Sequence, residues 1–270
     1  MTTATPKAAR RGPAASGFAA GLHFQLVAMR GETDTYQSLT LAPFQTLVMM
    51  SVMQFTGRDD LSAYAVVAPT LMTMWTSALI FSTDLITEDK EDSRLETMVA
   101  SPASFPMLVF GRLCGAMLLA LPAFAVALLV AGGVFGYWMP VPHPLVFTAA
   151  LILAAASTAA ATTALSALFV TRPGAYVLGS TMVYPVFLLS GVVVPASELP
   201  GPLEAVSRLS YLAWAAELLR DATDPAPVAQ AVPRLGMVLL LGALLLAAGV
   251  VALNRFLRRA RELGVLAGNE

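Results

Sequence analysis

Six long apolar runs decide what this chain can fold into. They cover residues 39–56, 62–83, 107–137, 145–170, 174–194 and 235–253. A helix crosses a bilayer with about 20 predominantly apolar residues, so these runs have the length of transmembrane helices. No Asp, Glu or Lys falls inside them, and Arg112 is counted with the inner side. The sequence therefore predicts an all-α integral membrane protein with six transmembrane helices.

The composition agrees with a single membrane domain. Hydrophobic residues make up 57% of the chain and charged residues 12%, against about 45–50% and 25% in typical soluble domains. A water-soluble core cannot bury that excess, whereas six spans can. We expect a cytoplasmic N-terminal tail and interfacial helix over residues 1–38, a transmembrane domain over 39–253 and a cytoplasmic tail over 254–270.

The basic residues predict that both ends of the chain are cytoplasmic. Lys and Arg near span ends stay on the inner side of the membrane. With the N-terminus inside and six spans, twelve of them are inner and four outer. The inner ones are Lys7, Arg10, Arg11, Arg30, Lys90, Arg94, Arg112, Arg172, Arg255, Arg258, Arg259 and Arg261, and the outer ones are Arg58, Arg208, Arg220 and Arg234.

A segment ahead of the first run, residues 17–31, has one apolar stripe at helical spacing. The stripe consists of Phe18, Leu22, Gln25, Leu26 and Met29. Such a helix can lie along the inner membrane surface with its apolar face in the lipid. The alternative is an ordinary frayed N-terminal helix.

The loop after the second run, residues 84–105, predicts a short cytoplasmic helix. Ser93 and Glu96 have the spacing of a capping box, and Pro102 ends the pattern. The predicted helix covers residues 94–100, and its apolar stripe is Leu95, Met98 and Val99. An acidic run precedes it, with Glu88, Asp89, Glu91 and Asp92. The loop is either a docking surface for a cytoplasmic partner or a solvated connector.

The segment before the last run, residues 191–221, is too apolar for a free loop. Pro195, Pro200 and Pro202 nevertheless prevent one continuous spanning helix. Two short helices that dip back into the outer leaflet would satisfy both facts if their broken backbone is buried in protein. The alternative is a hairpin that lies on the membrane surface.

These last two segments carry a resemblance to the permease subunits of ABC-2 type transporters. In that family the loop after the second span is similar to E-x-E-x-G-T-L-E-x-L-L-x-S-P. Leu95, Glu96, Ser101 and Pro102 match this pattern, and Ser93-Arg94 replaces its Gly-Thr pair. The second signature resembles S-G-x-x-x-P-x-x-x-L-P followed by an amphipathic stretch that ends in L-R. Its matches are Ser190, Gly191, Pro195, Leu199, Pro200, Leu219 and Arg220.

The resemblance implies an ATP-driven exporter in a bacterial inner (plasma) membrane. It implies a homodimer or paralogous heterodimer of permeases on two cytoplasmic ABC ATPase subunits, and a drug, antibiotic, lipid or glycolipid as substrate. The ATPase-coupling residues would be Glu88, Asp89, Glu91, Asp92, Arg94, Leu95, Glu96, Met98 and Val99. The outer gate would be formed by Gly191, Pro195, Leu199, Pro200 and Arg220.

The residue inventory agrees with ATP being handled by another chain. A phosphate-binding loop needs a lysine after glycine, and the two lysines of the chain, Lys7 and Lys90, lie outside any such motif. Cys114 is the single cysteine, which excludes a cysteine-based metal cluster. We therefore expect no catalytic residue, metal or cofactor in this chain, with ATP and Mg²⁺ bound by the ATPase.

Other classes of membrane protein remain as alternatives. An ion-coupled carrier or channel usually has ionisable sites within its spans, and a membrane anchor for an ATPase needs no transport path. A membrane-embedded enzyme is least favoured, because His23 and His143 fall on opposite predicted sides. Four residues deep in the runs are candidates for a substrate path, or else pack against neighbouring helices or lipid: Trp75, Met182, Tyr184 and Phe187.

Overall fold

The structure is a computed structural model that describes residues 13–28, 33–57, 61–91, 104–171, 175–193 and 200–262. Within these ranges the chain forms helices joined by turns, and no strand is found. The helices are α1 (Pro13–Ala28), α2 (Thr33–Thr56), α3 (Tyr64–Glu91), α4 (Phe105–Ala120), α5 (Pro122–Phe135), α6 (Pro144–Thr171), α7 (Ala175–Leu189), α8 (Gly201–Ser207), α9 (Tyr211–Asp221) and α10 (Ala231–Glu262). The predicted all-α fold is confirmed.

Four stretches of the described chain are long and apolar enough to cross a membrane. They are Tyr64–Thr83, Phe105–Phe135, Pro144–Phe169 and Ala231–Arg259. The two other predicted spans, 39–56 and 174–194, fall on α2 and α7, so the total of six remains a prediction.

The third span is interrupted in its middle by a proline. α4 ends at Ala120 and α5 begins at Pro122, with Leu121 between them in a right-handed helical conformation. Proline has no N–H to donate and its ring clashes with the preceding turn. The break therefore occurs at this proline, and the whole stretch Phe105–Phe135 has 31 residues.

The second span extends further than the sequence predicted. We expected a loop from residue 84, but α3 continues to Glu91 and has 28 residues, about 42 Å at 1.5 Å per residue. An apolar run marks where lipid ends, whereas a helix continues into water wherever its backbone hydrogen bonds persist. Glu88, Asp89 and Glu91 thus lie on the last turn of α3, and residues 92–103, with the predicted helix 94–100, lie outside the described residues.

α6 occupies the centre of the bundle and contacts α3, α4, α9 and α10. Small residues allow this close packing: a side chain at Gly242 of α10 would collide with Ser157, and one at Gly249 with the backbone of Ala164. In addition, the hydroxyl groups of Ser82 on α3 and Ser166 on α6 lie 2.7 Å apart. Small residues and interhelical hydroxyl bonds are typical of helix packing in membranes, where apolar side chains gain little by leaving lipid.

α1 packs along α4, and this changes the interpretation of its apolar stripe. Gly17 faces the backbone of Ser104, just before α4, and Gly21 faces the backbone of α4 itself. Gly111 and Gly115 face Phe18 and residues of the next turns of α1. The two helices run parallel, since later residues of α1 contact later residues of α4. The predicted apolar stripe of α1 partly overlaps this buried face. Some of its residues therefore contact α4. The location of α1 relative to the membrane surface stays a prediction.

Candidate functional site

The most distinctive element at one end of the bundle is α9, which is short and largely buried. Ser210 caps its first turn by accepting a hydrogen bond from Leu212 N at 3.2 Å. α9 packs against α3, α6 and α10. Its buried residues are Tyr211, Leu212, Ala213, Ala215, Ala216, Leu218, Leu219 and Arg220. As predicted, residues 191–221 contain two short helices, α8 and α9, and their return into the outer leaflet stays a prediction.

A hydroxyl chain joins the start of α9 to the centre of α6. Thr158 donates to the carbonyl oxygen of Ala154 at 2.8 Å, so its oxygen is free to accept from the Tyr211 hydroxyl at 2.9 Å. Both side chains are buried. The bond fixes the depth at which α9 begins, because it satisfies the polar end of a tyrosine that is otherwise surrounded by the core.

Arg220, near the end of α9, joins three parts of the chain. Its Nη1 donates to the carbonyl oxygens of Gly191 at 3.1 Å and Val192 at 3.4 Å. Its guanidinium carbon lies 4.5 Å from the ring centre of Tyr64, at the start of α3. Arg220 counts among the predicted outer basic residues, and its side chain is buried, with only 8% exposed. The carbonyl oxygens of the turn after α7 and the tyrosine ring replace its hydration.

The turn that accepts from Arg220 requires glycine. Gly191 has φ of +70°, a left-handed conformation that residues with a side chain adopt at a cost. Gly191 and Pro200, predicted together in this region, are both described: Gly191 is buried in the turn after α7, and Pro200 is exposed immediately before α8. Pro195 and Leu199 lie outside the described residues.

Ion pairs surround the exposed side of α9. Glu217 lies 2.8 Å from Arg208 and 3.3 Å from Arg234, and Asp221 lies 2.6 Å from Arg234. Burial lowers the pKa of Arg220, while Tyr64, Glu217 and Asp221 act in the opposite direction. An arginine pKa starts so high that Arg220 remains a cation. The network links α9 to the start of α10.

An apolar cavity of about 500 Å³ adjoins the first turn of α9. We call this cavity the slot. It is lined by Trp75, Ala161, Ala164, Leu165, Leu168, Phe169, Val186, Leu209, Ser210, Tyr211, Leu212 and Leu245. Of the predicted path residues, Trp75 lines the slot, Phe187 is buried in the core and Tyr184 is 72% exposed. The side chain of Met182 lies outside the described residues, so the structure does not bring the four together.

The comparison with known families decides the identity of this arrangement. The family model of the ABC-2 type transporter matches residues 19–223, from α1 to the end of α9. The chain belongs to the ABC-2 type transporter family. It is therefore the permease component of such a transporter and a multi-pass membrane protein, and permeases of this family generally work with a cytoplasmic ABC ATPase. No curated protein matches the chain.

This ABC-2 permease also contains a buried cation that the sequence placed at the membrane edge. Arg112 lies in the second turn of α4 and is 5% exposed. Its Nε donates to Gln25 Oε1 at 3.3 Å, and its guanidinium lies 4.8 Å from the ring centre of Phe24. The glycines that bring α1 onto α4 create this environment. A pair of G-x-x-x-G spacings, at Gly17 and Gly21 and at Gly111 and Gly115, was the available sequence signal.

The coupling residues remain predictions. Glu88, Asp89 and Glu91 lie on the last turn of α3, but their side chains are not among those described. Asp92, Arg94, Leu95, Glu96, Met98 and Val99 lie outside the described residues.

Proposed function

We propose that this permease exports a hydrophobic or amphipathic molecule, driven by ATP hydrolysis on a separate subunit. The observation that carries the proposal is α9: a short helix buried at one end of the bundle within a match to a transporter family. A transport path needs a barrier that opens. The polar contacts of α9 come from Tyr211, Arg220, Glu217 and Asp221, so α9 is suited to be a barrier that moves as one unit.

The barrier lies at the outer end in the proposed topology. The starts of α3, α6 and α10 and the end of α7 all contact or adjoin α9. With twelve basic residues on one side and four on the other, the positive-inside rule favours this end being external. Both termini would then be cytoplasmic, in the inner (plasma) membrane of a bacterium.

ATP would come from two cytoplasmic ABC ATPase subunits bound to two permease chains. The last turn of α3 supports a contact on the inner side, because it carries three acidic residues at a helix end where the backbone dipole favours cations. A basic partner surface would remove that conflict. The adjoining segment 92–103 would be the docking element, with Leu95 and Met98 as its apolar contacts.

The docking proposal is tested by replacing Leu95 and Met98 with Asp and measuring co-purification with the ATPase. Charges in a desolvated contact cost several kcal/mol, so we expect the complex to be lost while the permease still enters the membrane. The amount of each variant recovered in the membrane fraction is the control for membrane insertion. Wild-type assembly and transport by the Leu95/Met98 variant would refute this contact.

Transport itself is tested with the reconstituted complex in sealed proteoliposomes. We expect fluorescent hydrophobic probes to move towards the outer face only with ATP on the cytoplasmic face. An ATPase variant that lacks its phosphate-loop lysine should abolish the flux. Flux that follows a proton or sodium gradient without ATP would favour an ion-coupled carrier, and ATP hydrolysis without flux would favour a membrane anchor for the ATPase.

A further inference from the structure

The slot beside α9 has the properties of a site for a hydrocarbon chain. We infer that it binds the alkyl or acyl chain of a membrane amphiphile, which is either a bilayer lipid or a lipid-like transported molecule. Binding of a hydrocarbon chain does not depend on the proposed function. Only the identification of the chain with a transported molecule rests on that function.

The lining determines the chemistry of the occupant. Aliphatic and aromatic side chains form almost all of the wall, as with Leu165, Leu168 and Phe169 of α6. An apolar cavity of this kind does not hold water and accepts apolar ligands. Its volume of about 500 Å³ lies in the usual range of small-molecule sites, about 300–1,000 Å³.

The shape indicates how a chain would lie. Ala161 and Phe169 are eight residues apart on α6, about 12 Å along the helix axis at 1.5 Å per residue. The start of α9 marks the end near Ala161, because the Tyr211 hydroxyl is bonded to Thr158 one turn before it. Ser210 and Tyr211, the hydroxyl-bearing residues of the lining, are thus gathered at that end. A chain would extend along α6 over this length.

The slot is also open to the surroundings of the protein. Leu209 at its rim is 74% exposed and Leu168 is 36% exposed. Leu168 lies within the membrane-crossing stretch Pro144–Phe169, so a chain can enter the slot from the bilayer without crossing water.

Trp75 provides a reporter inside the slot. The permease is reconstituted in vesicles of phosphatidylcholine with dibrominated acyl chains, and tryptophan quenching is compared with that in unbrominated vesicles. Ala161→Phe fills the slot, whereas Ala243→Phe adds the same side chain on the exposed face of α10. Quenching of Trp138 and Trp214 by bromine is common to all variants and cancels in the difference.

We expect Ala161→Phe to lose the Trp75 quenching that the wild type and Ala243→Phe both show. If Ala161→Phe does not elute as a folded protein, Leu165→Phe fills the slot from the next turn and serves in its place. Equal quenching in the filled variant and the wild type would overturn the inference, since bromine would then reach Trp75 by another route.

A second experiment distinguishes a bilayer lipid from a lipid-like transported molecule as the source of the hydrocarbon chain. An unbrominated dodecyl amphiphile is added below its micellar concentration. Relief of the quenching assigns the slot to exchangeable, substrate-like molecules, and persistence assigns it to a bound bilayer lipid; both outcomes support a chain site. Because neither arm contains ATP or the ATPase, the result is independent of whether the complex transports.

Discussion

Replacing Arg220 with Met is the most informative perturbation of α9. Methionine keeps an unbranched stem in the same space but removes the charge. The wild-type side chain makes two charged hydrogen bonds, to the carbonyls of Gly191 and Val192, worth about 1.5–3 kcal/mol each. Its contact with the Tyr64 ring at 4.5 Å adds about 2 kcal/mol when desolvated.

The net effect is smaller than this sum because the variant no longer desolvates a guanidinium. Leaving the buried carbonyl oxygens of Gly191 and Val192 without a donor costs about 1–3 kcal/mol each. At about 2–4 °C per kcal/mol for a chain of this size, we expect the melting temperature of the purified permease to fall by on the order of 10 °C. Arg220→Lys should lose less, since it keeps the charge but lacks the planar fork.

Arg208→Met is the matched control, because Arg208 lies in the same region but its side chain is 35% exposed. After solvent screening, ion pairs of this kind contribute about 1 kcal/mol or less. The assay is the fraction of protein that elutes at the native position after heating in detergent. Equal melting temperatures for the Arg220→Met and Arg208→Met variants would refute the assignment of Arg220 as the main attachment of α9.

Two further pairs of variants test the packing. Thr46→Val removes a buried hydroxyl that has no hydrogen-bond partner in the described part of the chain, so thermal stability should be unchanged or higher. Thr158→Val removes the acceptor of the Tyr211 hydroxyl, so thermal stability should fall. Gly21→Ala should destabilise by about 1–3 kcal/mol because its methyl group would meet the backbone of α4. Gly133→Ala, which meets nothing within 4 Å, should be neutral or slightly stabilising in the same melting assay.

The helical pair α8 and α9 could be predicted because local features determine it. Prolines interrupt an apolar segment, and the capping residue Ser210 precedes an amphipathic stretch. The burial of Arg220 could not be predicted in this way. Its acceptors are 28 and 29 residues earlier in the chain, and nothing near Arg220 in sequence distinguishes it from Arg208, which remains partly exposed.

A basic residue near the end of a span is not necessarily exposed to water. Arg112 satisfied the count of inner cations, yet α1 covers it and Gln25 accepts from it. The glycine spacings could be read from the sequence, but they do not identify the partner helix. Likewise, the apolar run ended at residue 83 while α3 continued to Glu91, because hydropathy reports lipid contact and not helix length.

Access to position 161 from outside the vesicle tests the central claim that α9 is the outer barrier of an ATP-driven permease. Ala161 is buried below the start of α9, and Ala161→Cys can be made together with Cys114→Ala so that it is the only thiol. The complex is sealed in vesicles with its outer face exposed, and a charged, membrane-impermeant thiol reagent is added outside. We expect slow labelling without ATP and faster labelling with ATP in the lumen, but no acceleration when the ATPase lacks its phosphate-loop lysine. Equal rates with and without ATP, or labelling only from the lumen, would contradict the claim.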